Sequence, residues 1–172
     1  MNKKKLKYRV TYLEMNRKPS FDWPKNLKHK LSILLAESFP AWYFLFFYKQ
    51  VGKNYYWTDW LRKSEDEIDE FVNDKNVLLY TLIKDGWPVG FYMLDYRKKD
   101  ICDLSFFGLV DEVIGIGLGK YLLQTAILTA WDSKKINKLT VNTCSLDHKS
   151  AIYLYQKYGF TPVKYKDLEK TV

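Results

Sequence analysis

The spacing of apolar residues in the first third of the chain predicts one strand followed by two helices. Weak alternation of apolar and polar residues from Tyr8 to Leu13 is typical of a strand. Leucines at helical spacing predict a helix over Leu27–Phe39. Pro40 suits the first turn of a second helix over Ala41–Val51, which Gly52 closes. This second helix is apolar on nearly every side, so we expect it to be buried or to line a site.

The middle of the chain predicts a short helix and then a meander of three strands. A serine and a glutamate three residues later form a capping box that opens an acidic helix over Ser64–Val72. Val77–Ile83 is a strongly apolar strand, and Asp85–Gly86 is a hairpin turn signal. Strands over Val89–Tyr96 and Ile101–Val110 complete the meander.

The last third of the chain alternates between helices and strands. Apolar residues on one face predict a helix over Leu118–Ser133. A strand is expected over Lys138–Cys144. A last helix is expected over Lys149–Tyr158 and a final strand from Phe160 onward. Pro162 places that strand at a sheet edge or a bulge. We therefore predict a single domain over 1–172, with the first strand and helices in 8–76 and the meander and α-β-α-β segment in 77–160.

Composition places the chain among folded proteins without a membrane span. Of the 172 residues, 47% are hydrophobic, 28% are charged and 17% are aromatic, which excludes disordered, collagen-like and disulfide-knot classes. Two cysteines, Cys102 and Cys144, suggest a reducing compartment, and a cytoplasmic location is expected. The basic start has no apolar core of a signal peptide behind it, and the longest apolar run, Phe39–Tyr48, is too short to cross a bilayer.

A formal net charge of +8 favours anionic partners without saying which. Nucleic acid, acidic lipid and a phosphorylated small molecule are all compatible with that charge. The lysines run along the whole chain and form no single stripe, which is typical of a solvated surface. They therefore argue against a nucleic-acid-binding protein, as does the absence of an RNA-recognition motif.

The most informative motif is the glycine-rich turn between a strand and a helix in Val110–Lys120. Gly115, Gly117 and Gly119 alternate there, so backbone N–H groups can converge at an electropositive helix N-terminus and hold a diphosphate. The spacing is not that of a Rossmann turn, and Tyr121 stands where a P-loop needs serine or threonine. A purely structural tight turn would need one glycine rather than three.

This turn resembles the acyl-coenzyme A signature of the GNAT N-acetyltransferase superfamily, Gln/Arg-x-x-Gly-x-Gly/Ala. Ile114 stands at the Gln/Arg position, and Gly117 and Gly119 stand at the two small positions. Asp111 replaces the proline that usually follows the strand in the family.

A second motif resembles the same family. The run His148-x-x-Ala151-x-x-Leu154-Tyr155-x-x-x-Gly159-Phe160 is similar to Asn-x-x-Ala-x-x-Leu-Tyr-x-x-x-Gly-Phe, with His148 in place of the asparagine that often binds the pantetheine arm. The preceding Leu-Asp-His element is similar to a bacterial subgroup. The two motifs cover Asp103 to Phe160, whereas Tyr8–Trp87 matches only in the order of its elements.

The resemblance implies an α+β fold with a GNAT-like sheet. That sheet is twisted and mixed, has about six to seven strands, is flanked by about four helices, and is split by a bulge between two central parallel strands. Acyl-CoA would lie in the resulting V, with its pantetheine paired to Leu109 and Val110. Its diphosphate would lie on the turn residues Ile114, Gly115, Ile116, Gly117, Leu118, Gly119 and Lys120. Only twelve residues follow Phe160, so the family's C-terminal hairpin must be shortened or supplied otherwise.

The implied reaction is transfer of an acyl group, expected to be acetyl from acetyl-CoA, to a primary amine by direct attack without a metal. Tyr155 matches the family's tyrosine near the sulfur and is the candidate acid, although its spacing also suits a core aromatic. Asp103 is the candidate base, since we expect it to share a strand face with Ser105 and Phe107. A solvated residue near a turn is the alternative for Asp103.

Three further residues near the motifs are candidates for chemistry. Asp147 and His148 could also act as bases, but Asp147 (or Ser145) is expected to cap the last helix. Cys144 is expected to be an inert buried thiol rather than a nucleophile. We expect no metal-binding residues.

The acceptor is not identified by the sequence, because the rings in Trp42–Trp60 suit either a core or an acceptor pocket. The acidic helix over Ser64–Val72 could attract a cation, although a solvated face is expected. A CoA-binding sensor without turnover and a nucleic-acid-associated protein are the two alternative functions, and a homodimer is left open.

Overall fold

The computed structural model describes residues 5–25 and 29–171, and these ranges form seven strands and four α-helices. The strands are β1 (Lys5–Met15), β2 (Leu31–Ala36), β3 (Val77–Lys84), β4 (Trp87–Asp95), β5 (Ile101–Leu109), β6 (Lys138–Cys144) and β7 (Thr161–Thr171). The α-helices are α1 (Ala41–Gly52), α2 (Glu65–Val72), α3 (Leu118–Ser133) and α4 (Ala151–Lys157). Within these ranges no helix combines the length and apolarity that a bilayer crossing requires.

The strands form one mixed sheet in the order β2-β3-β4-β5-β6-β1-β7. Only β5 and β6 pair in parallel among the described strands, and their pairing joins Ile101–Asp103 to Lys138–Thr140. Both strands continue beyond this point without pairing with each other, so a wedge opens between them. The mixed sheet, the central parallel pair and the four helices confirm the predicted fold class.

A β-bulge in β5 lies beside the wedge. Met93 on β4 pairs with Phe106, but the next residue, Leu94, pairs with Leu104, so Ser105 is the extra residue. The bulge reverses the alternation of side chains. Phe107 packs with Leu104 in the core under α3 and α4, whereas Phe106 packs on the other face under α1 and α2. The expectation that Asp103, Ser105 and Phe107 share one strand face is therefore wrong.

The two faces of the sheet carry separate hydrophobic cores. α3 and α4 cover one face, where Leu122 and Leu139 are fully buried. α1 and α2 cover the other face, where Phe44 and Phe47 are fully buried. Side chains of Ser64 and Glu67 make the predicted capping box that starts α2.

The predicted helix over 27–39 is wrong, because 31–36 form the edge strand β2. All six residues of β2 pair with β3, which gives the β3 backbone its partner on that side. Leu31 and Ile33 alternate toward the core under α3. A short apolar run fits both the 3.6-residue period of a helix and the two-residue period of a strand, and pairing with β3 decides between them. Leu27 itself lies outside the described residues.

The sheet ends on β7, which is an edge strand as predicted. Its register against β1 slips where Tyr12 faces Lys164 and Leu13 faces Pro162, so the proline lies at a bulge. β1 lies between β6 and β7 and is antiparallel to both. β7 therefore takes its backbone partner from the N-terminal strand.

Candidate functional site

The wedge between β5 and β6 opens into a cleft of about 370 Å³, here called the first cleft. The bulged half of β5 forms one wall, and α4 with the residues before it forms the other. The glycine turn closes one end. Residues from β5, the glycine turn, β6 and α4 therefore meet around one space.

The glycine turn exposes backbone rather than side chains at the mouth of this cleft. Gly115 and Gly117 have φ values of +90° and +89°, a left-handed conformation that L side chains rarely adopt. A Cβ atom at either position would contact nothing within 4 Å, so conformation rather than space requires glycine there. Gly119 lies inside α3, and its Cβ would lie 3.8 Å from Leu109 and 3.9 Å from Leu154. Its missing side chain therefore keeps the cleft open.

The N-terminus of α3 begins at this turn without a capping side chain. Gly117 is the N-cap residue, no side chain accepts from the first turn, and no acidic residue lies in it. The amide of Tyr121 donates the first helical hydrogen bond, to the Gly117 carbonyl oxygen at 3.5 Å. The preceding helix amides face outward from a 16-residue helix whose dipole is positive at this end. Such an N-terminus favours an anion.

The residues predicted to bind acyl-CoA divide into three groups. Leu109, Ile114, Gly115, Gly117, Gly119 and His148 line the first cleft. Val110 and Leu118 are buried in the core, so only their backbone is available to a ligand. Ile116 and Lys120 are exposed on the turn beside the cleft.

Tyr155 projects from α4 into the first cleft and is only 5% exposed. Its ring packs edge-on against Phe107 and Phe160. Burial, and then the negative charges of Asp147 and Asp103, raise the pKa of the Tyr155 phenol above its ordinary value. The phenol is therefore neutral at physiological pH and can donate a proton or a hydrogen bond.

Asp103 lines neither cleft, which separates it from the predicted site. Its Oδ1 accepts a hydrogen bond of 2.5 Å from the Thr140 hydroxyl, and its Oδ2 accepts one of 2.8 Å from the Ser105 hydroxyl. These bonds link β5 to β6 at the last parallel pair before the strands diverge. The geometry gives Asp103 a clear structural task, and only Ser105 extends from this network into the cleft.

Asp147 lines the first cleft, which is the position expected for the carboxylate of Asp103. Its Oδ2 accepts from the Thr143 hydroxyl and the Cys144 amide, each at 2.8 Å. Its Oδ1 accepts from the Trp57 indole N–H at 3.0 Å. The prediction that Asp147 or Ser145 caps the last helix is wrong, since Ser150 is the N-cap of α4 and no side chain caps it. The Leu-Asp-His element was the sequence signal for this residue.

A loop rich in aromatic residues, Asn54–Trp60, crosses the site from the end of α1. Tyr55 and Trp57 line the first cleft. The Asn54 amide donates to Asp111 at 2.7 Å and the Lys53 ammonium lies 3.1 Å from the same carboxylate, so Asp111 ties this loop to the start of the glycine turn. The sequence identified Asp111 only as a departure from the family pattern, and its partner is visible only in three dimensions.

A second cleft of about 260 Å³ opens on the other side of the Tyr55–Trp57 wall. Six residues line both clefts: Tyr55, Trp57, Ser105, Phe106, Asn142 and Asp147. The two spaces are therefore neighbours with a common wall. The rings of Trp42–Trp60 thus divide, because Phe44 and Phe47 are core residues while Tyr55, Tyr56, Trp57 and Trp60 line a cleft.

His148 and Cys144 lie at the margins of the two clefts. The exposed His148 lines the first cleft, its Nδ1 accepts from the Ser150 amide at 3.3 Å, and its ring lies edge-on to Tyr55. Cys144 lines the second cleft, and burial and Asp147 raise the pKa of its thiol, which keeps it protonated. Across residues 5–25 and 29–171, no group of three His, Cys, Asp or Glu side chains could hold a metal ion.

Solved structures share this fold over most of the chain. A conserved protein of unknown function from Staphylococcus epidermidis aligns over 97% of this chain and 63% of its own, at 12% identity and a TM-score of 0.61. A GCN5-related N-acetyltransferase from Kribbella flavida aligns over 94% of this chain and 56% of its own, at 14% identity and a TM-score of 0.58. A GNAT family acetyltransferase from Elizabethkingia anophelis with acetyl-CoA bound aligns over 78% of both chains, at 22% and 0.57. At these identities the likeness concerns the fold.

The chain spans less than two thirds of the length of the first two of these proteins. No curated protein matches it. The family model of the acetyltransferase (GNAT) family matches residues 36–160, which is well over half of the chain and includes both sequence motifs and α1. This chain therefore belongs to the GNAT acetyltransferase family.

Proposed function

We propose that the protein is an acyl-CoA-dependent N-acyltransferase that moves acetyl from acetyl-CoA to a primary amine. The observation that carries the proposal is the first cleft, which joins the bare N-terminus of α3 to the buried Tyr155 phenol. Free thiols at Cys102 and Cys144 support a cytoplasmic location for this activity.

The residues present fit acyl-CoA as a substrate. The backbone of Gly115 and Gly117 and the first amides of α3 would hold the diphosphate, with Lys120 nearby as a counter-charge. The β6-facing edge of β5 beyond Asp103 has no strand partner among the described residues, so it would pair with the pantetheine amides. The thioester supplies the activated acyl group.

The transfer needs one proton to leave nitrogen and one to reach sulfur. The amine attacks as its neutral form, so a bound ammonium first loses one proton to solvent. As the C–N bond forms and the C–S bond breaks, the nitrogen loses one further proton and the departing thiolate gains one. Tyr155 is the proposed proton donor, because its phenol is neutral and lies in the cleft. Asp103 was the expected proton acceptor, but Asp147 lines the cleft and Asp103 does not, so we assign this role to Asp147.

The test of the activity is release of free CoA from acetyl-CoA in the presence of a panel of amines. The panel includes polyamines, amino acids, aminoglycosides, arylalkylamines and peptide N-termini. Amine-dependent release with formation of the N-acetyl product is the expected result. Binding of acetyl-CoA without release by any amine contradicts the proposal and favours a CoA-binding sensor. Salt-dependent binding of nucleic acid without CoA binding favours the third function.

Tyr155→Phe tests the assigned acid. Loss of a general acid lowers kcat by about a hundredfold or more, whereas the affinity for CoA should change little because the ring is kept. Tyr153→Phe is the matched control, since Tyr153 lies on the same helix and is 72% exposed. Equal kcat values for Tyr155→Phe and the wild type contradict the assignment.

A further inference from the structure

We propose that the second cleft receives the acceptor and that this acceptor is a monoamine carried on an aromatic body, with its ammonium group at Asp147. The inference rests on the proposed function, because it names the class of amine that the transfer would use. It is argued from the walls, charge and size of the second cleft.

The position of the second cleft suits an acceptor. Six residues of its lining also line the first cleft, and Asp147 is one of them. An amine bound at Asp147 therefore lies at the common wall, next to the cleft that contains Tyr155. The rest of the amine must then extend into the second cleft, because the acyl donor fills the first.

Nearly half of the residues that line the second cleft are aromatic. Seven of its fifteen lining residues carry rings: Tyr8, Tyr48, Tyr55, Tyr56, Trp57, Trp60 and Phe106. Trp57 packs against Tyr48 and Phe106, so these rings are fixed by their neighbours rather than free to move. Fixed rings bind another ring by offset or edge-to-face contact and bind a cation over their faces.

The charges on this lining leave one carboxylate without a cation. The Lys170 ammonium lies 3.0 Å from Asp59 and donates to the Tyr56 carbonyl oxygen at 2.8 Å, and its side chain is only 11% exposed. Asp59 and Lys170 therefore neutralise each other. Among the described residues lining this cleft, Asp147 is then the only charged group without an ion pair.

Tyr8, Tyr48 and Tyr55 add no charge to the lining. Burial raises the pKa of Tyr48 to about 12 and raises the pKa values of Tyr8 and Tyr55 above their ordinary value. The cleft thus has a net charge of −1, from Asp59, Lys170 and Asp147 together. This charge is neutralised by an acceptor with one ammonium group. An acceptor with a second ammonium group, or with a carboxylate beside its amine, leaves a charge without a counter-charge in the cleft.

The volume of the second cleft indicates the size of the acceptor body that its walls can surround. An apolar cavity of about 150 Å³ holds one benzene ring. The second cleft, at about 260 Å³, therefore has room for one ring or a fused pair with a short alkyl chain. 2-Phenylethylamine and tryptamine have this shape and a single positive charge.

The test compares kcat/KM for five amines with the full chain and saturating acetyl-CoA, measured as CoA release. The amines are 2-phenylethylamine, tryptamine, n-butylamine, spermidine and phenylalanine. The two arylalkylamines should exceed each of the others by about tenfold or more, because ring contacts and charge matching favour them. Preference for butylamine, spermidine or phenylalanine overturns the inference and leaves the acyltransferase proposal standing. No release with any amine, while acetyl-CoA still binds, overturns the acyltransferase proposal and the inference with it.

A charge variant tests the argument separately from the ring contacts. Lys170→Met leaves Asp59 unpaired and makes the cleft more negative by one charge, so the ratio of spermidine to 2-phenylethylamine turnover should rise several-fold. Lys166→Met, on the exposed part of the same strand, should leave the ratio unchanged. If Lys170→Met unfolds, Asp147→Asn replaces it, and 2-phenylethylamine binding is measured by calorimetry in the presence of CoA, because Asp147 is also the assigned proton acceptor and its loss lowers turnover. A dissociation constant raised at least about tenfold is then expected. An unchanged ratio for Lys170→Met, or an unchanged dissociation constant for Asp147→Asn, contradicts the proposal.

Discussion

Asp147 is the residue where the most interactions of the site converge. Its two oxygens accept three hydrogen bonds, from Thr143, the Cys144 amide and Trp57. Two of these donors come from the end of β6 and the third comes from the aromatic loop. The carboxylate is therefore held in one orientation by two separate parts of the chain, as a group that positions an amine must be.

Trp57 is a positioning residue for this carboxylate, and its contribution can be measured. Trp57→Phe keeps an aromatic ring but removes the indole N–H that donates to Asp147. A hydrogen bond to a charged group contributes about 1.5–3 kcal/mol, so kcat/KM for the amine should fall by about tenfold or more. Trp42→Phe is the control, since Trp42 is 66% exposed and lines neither cleft. Equal falls for both variants contradict the positioning role.

The sequence predicted residues whose role depends on the local backbone and missed those whose role depends on distant partners. The glycine turn before a helix starting at Leu118 was predicted from local signals, and Gly117 is the left-handed N-cap residue of that helix. Asp147 was interpreted as a helix cap because aspartate before a helix usually caps it. Its actual donors include Trp57, which lies 90 residues away in sequence and cannot be recognised from spacing.

The β5–β6 pair is the element on which the first cleft depends. Parallel pairing ends at Asp103 and Thr140, and the Asp103 carboxylate bonds to Thr140 across the two strands. The bulge at Ser105 then turns β5 away from β6. The opening is thus fixed by one side-chain bridge and one extra residue.

Asp103→Ala tests this structural role. The variant removes the acceptor of both hydroxyl bonds, so the free energy of unfolding should fall by about 1–3 kcal/mol in urea titration. Asp103→Asn keeps one acceptor oxygen and should recover part of the loss. Asp66→Ala, at an exposed position on α2, is the control. Unchanged stability together with lost turnover would instead support Asp103 as the base.

At the scale of elements, helices and strands with clear local signals were predicted close to their observed bounds. α3 was predicted at its observed bounds, and α2 began at its capping box. β2 was mistaken for a helix because its leucines satisfy both periods until β3 provides a pairing edge. The bulge at Ser105 leaves no local signal, since it arises from the register of β5 against β4.

The whole molecule buries several groups that can lose a proton only at high pH. Burial raises the pKa values of the Tyr92 and Tyr155 phenols and of the Cys102 thiol. Tyr92 also bonds to Thr129 at 3.1 Å across the face of the sheet that α3 covers. These groups keep their protons in the folded chain at pH values where the unfolded chain has lost them.

The free energy of unfolding should therefore decrease as the pH rises above about 9. Between its unfolded and folded pKa values, each such group lowers stability by about 1.4 kcal/mol per pH unit. Urea titrations at pH 8, 10 and 11 measure this slope. Tyr92→Phe should make the slope shallower, and Tyr153→Phe should not. A stability that is constant from pH 8 to pH 11 contradicts the burial of these groups.

The most direct test of the central claim is the affinity of acetyl-CoA for two glycine variants, measured by calorimetry. Gly117 and Gly86 have nearly equal φ values, +89° and +91°, and a Cβ at either contacts nothing within 4 Å. Gly117→Trp and Gly86→Trp therefore carry comparable strain from φ, but only the first places a ring at the end of the first cleft. We expect Gly117→Trp to weaken acetyl-CoA binding by about a hundredfold or more, which is about 2.8 kcal/mol, and Gly86→Trp to bind like the wild type. Wild-type affinity in a folded Gly117→Trp protein would contradict the glycine turn as the diphosphate site.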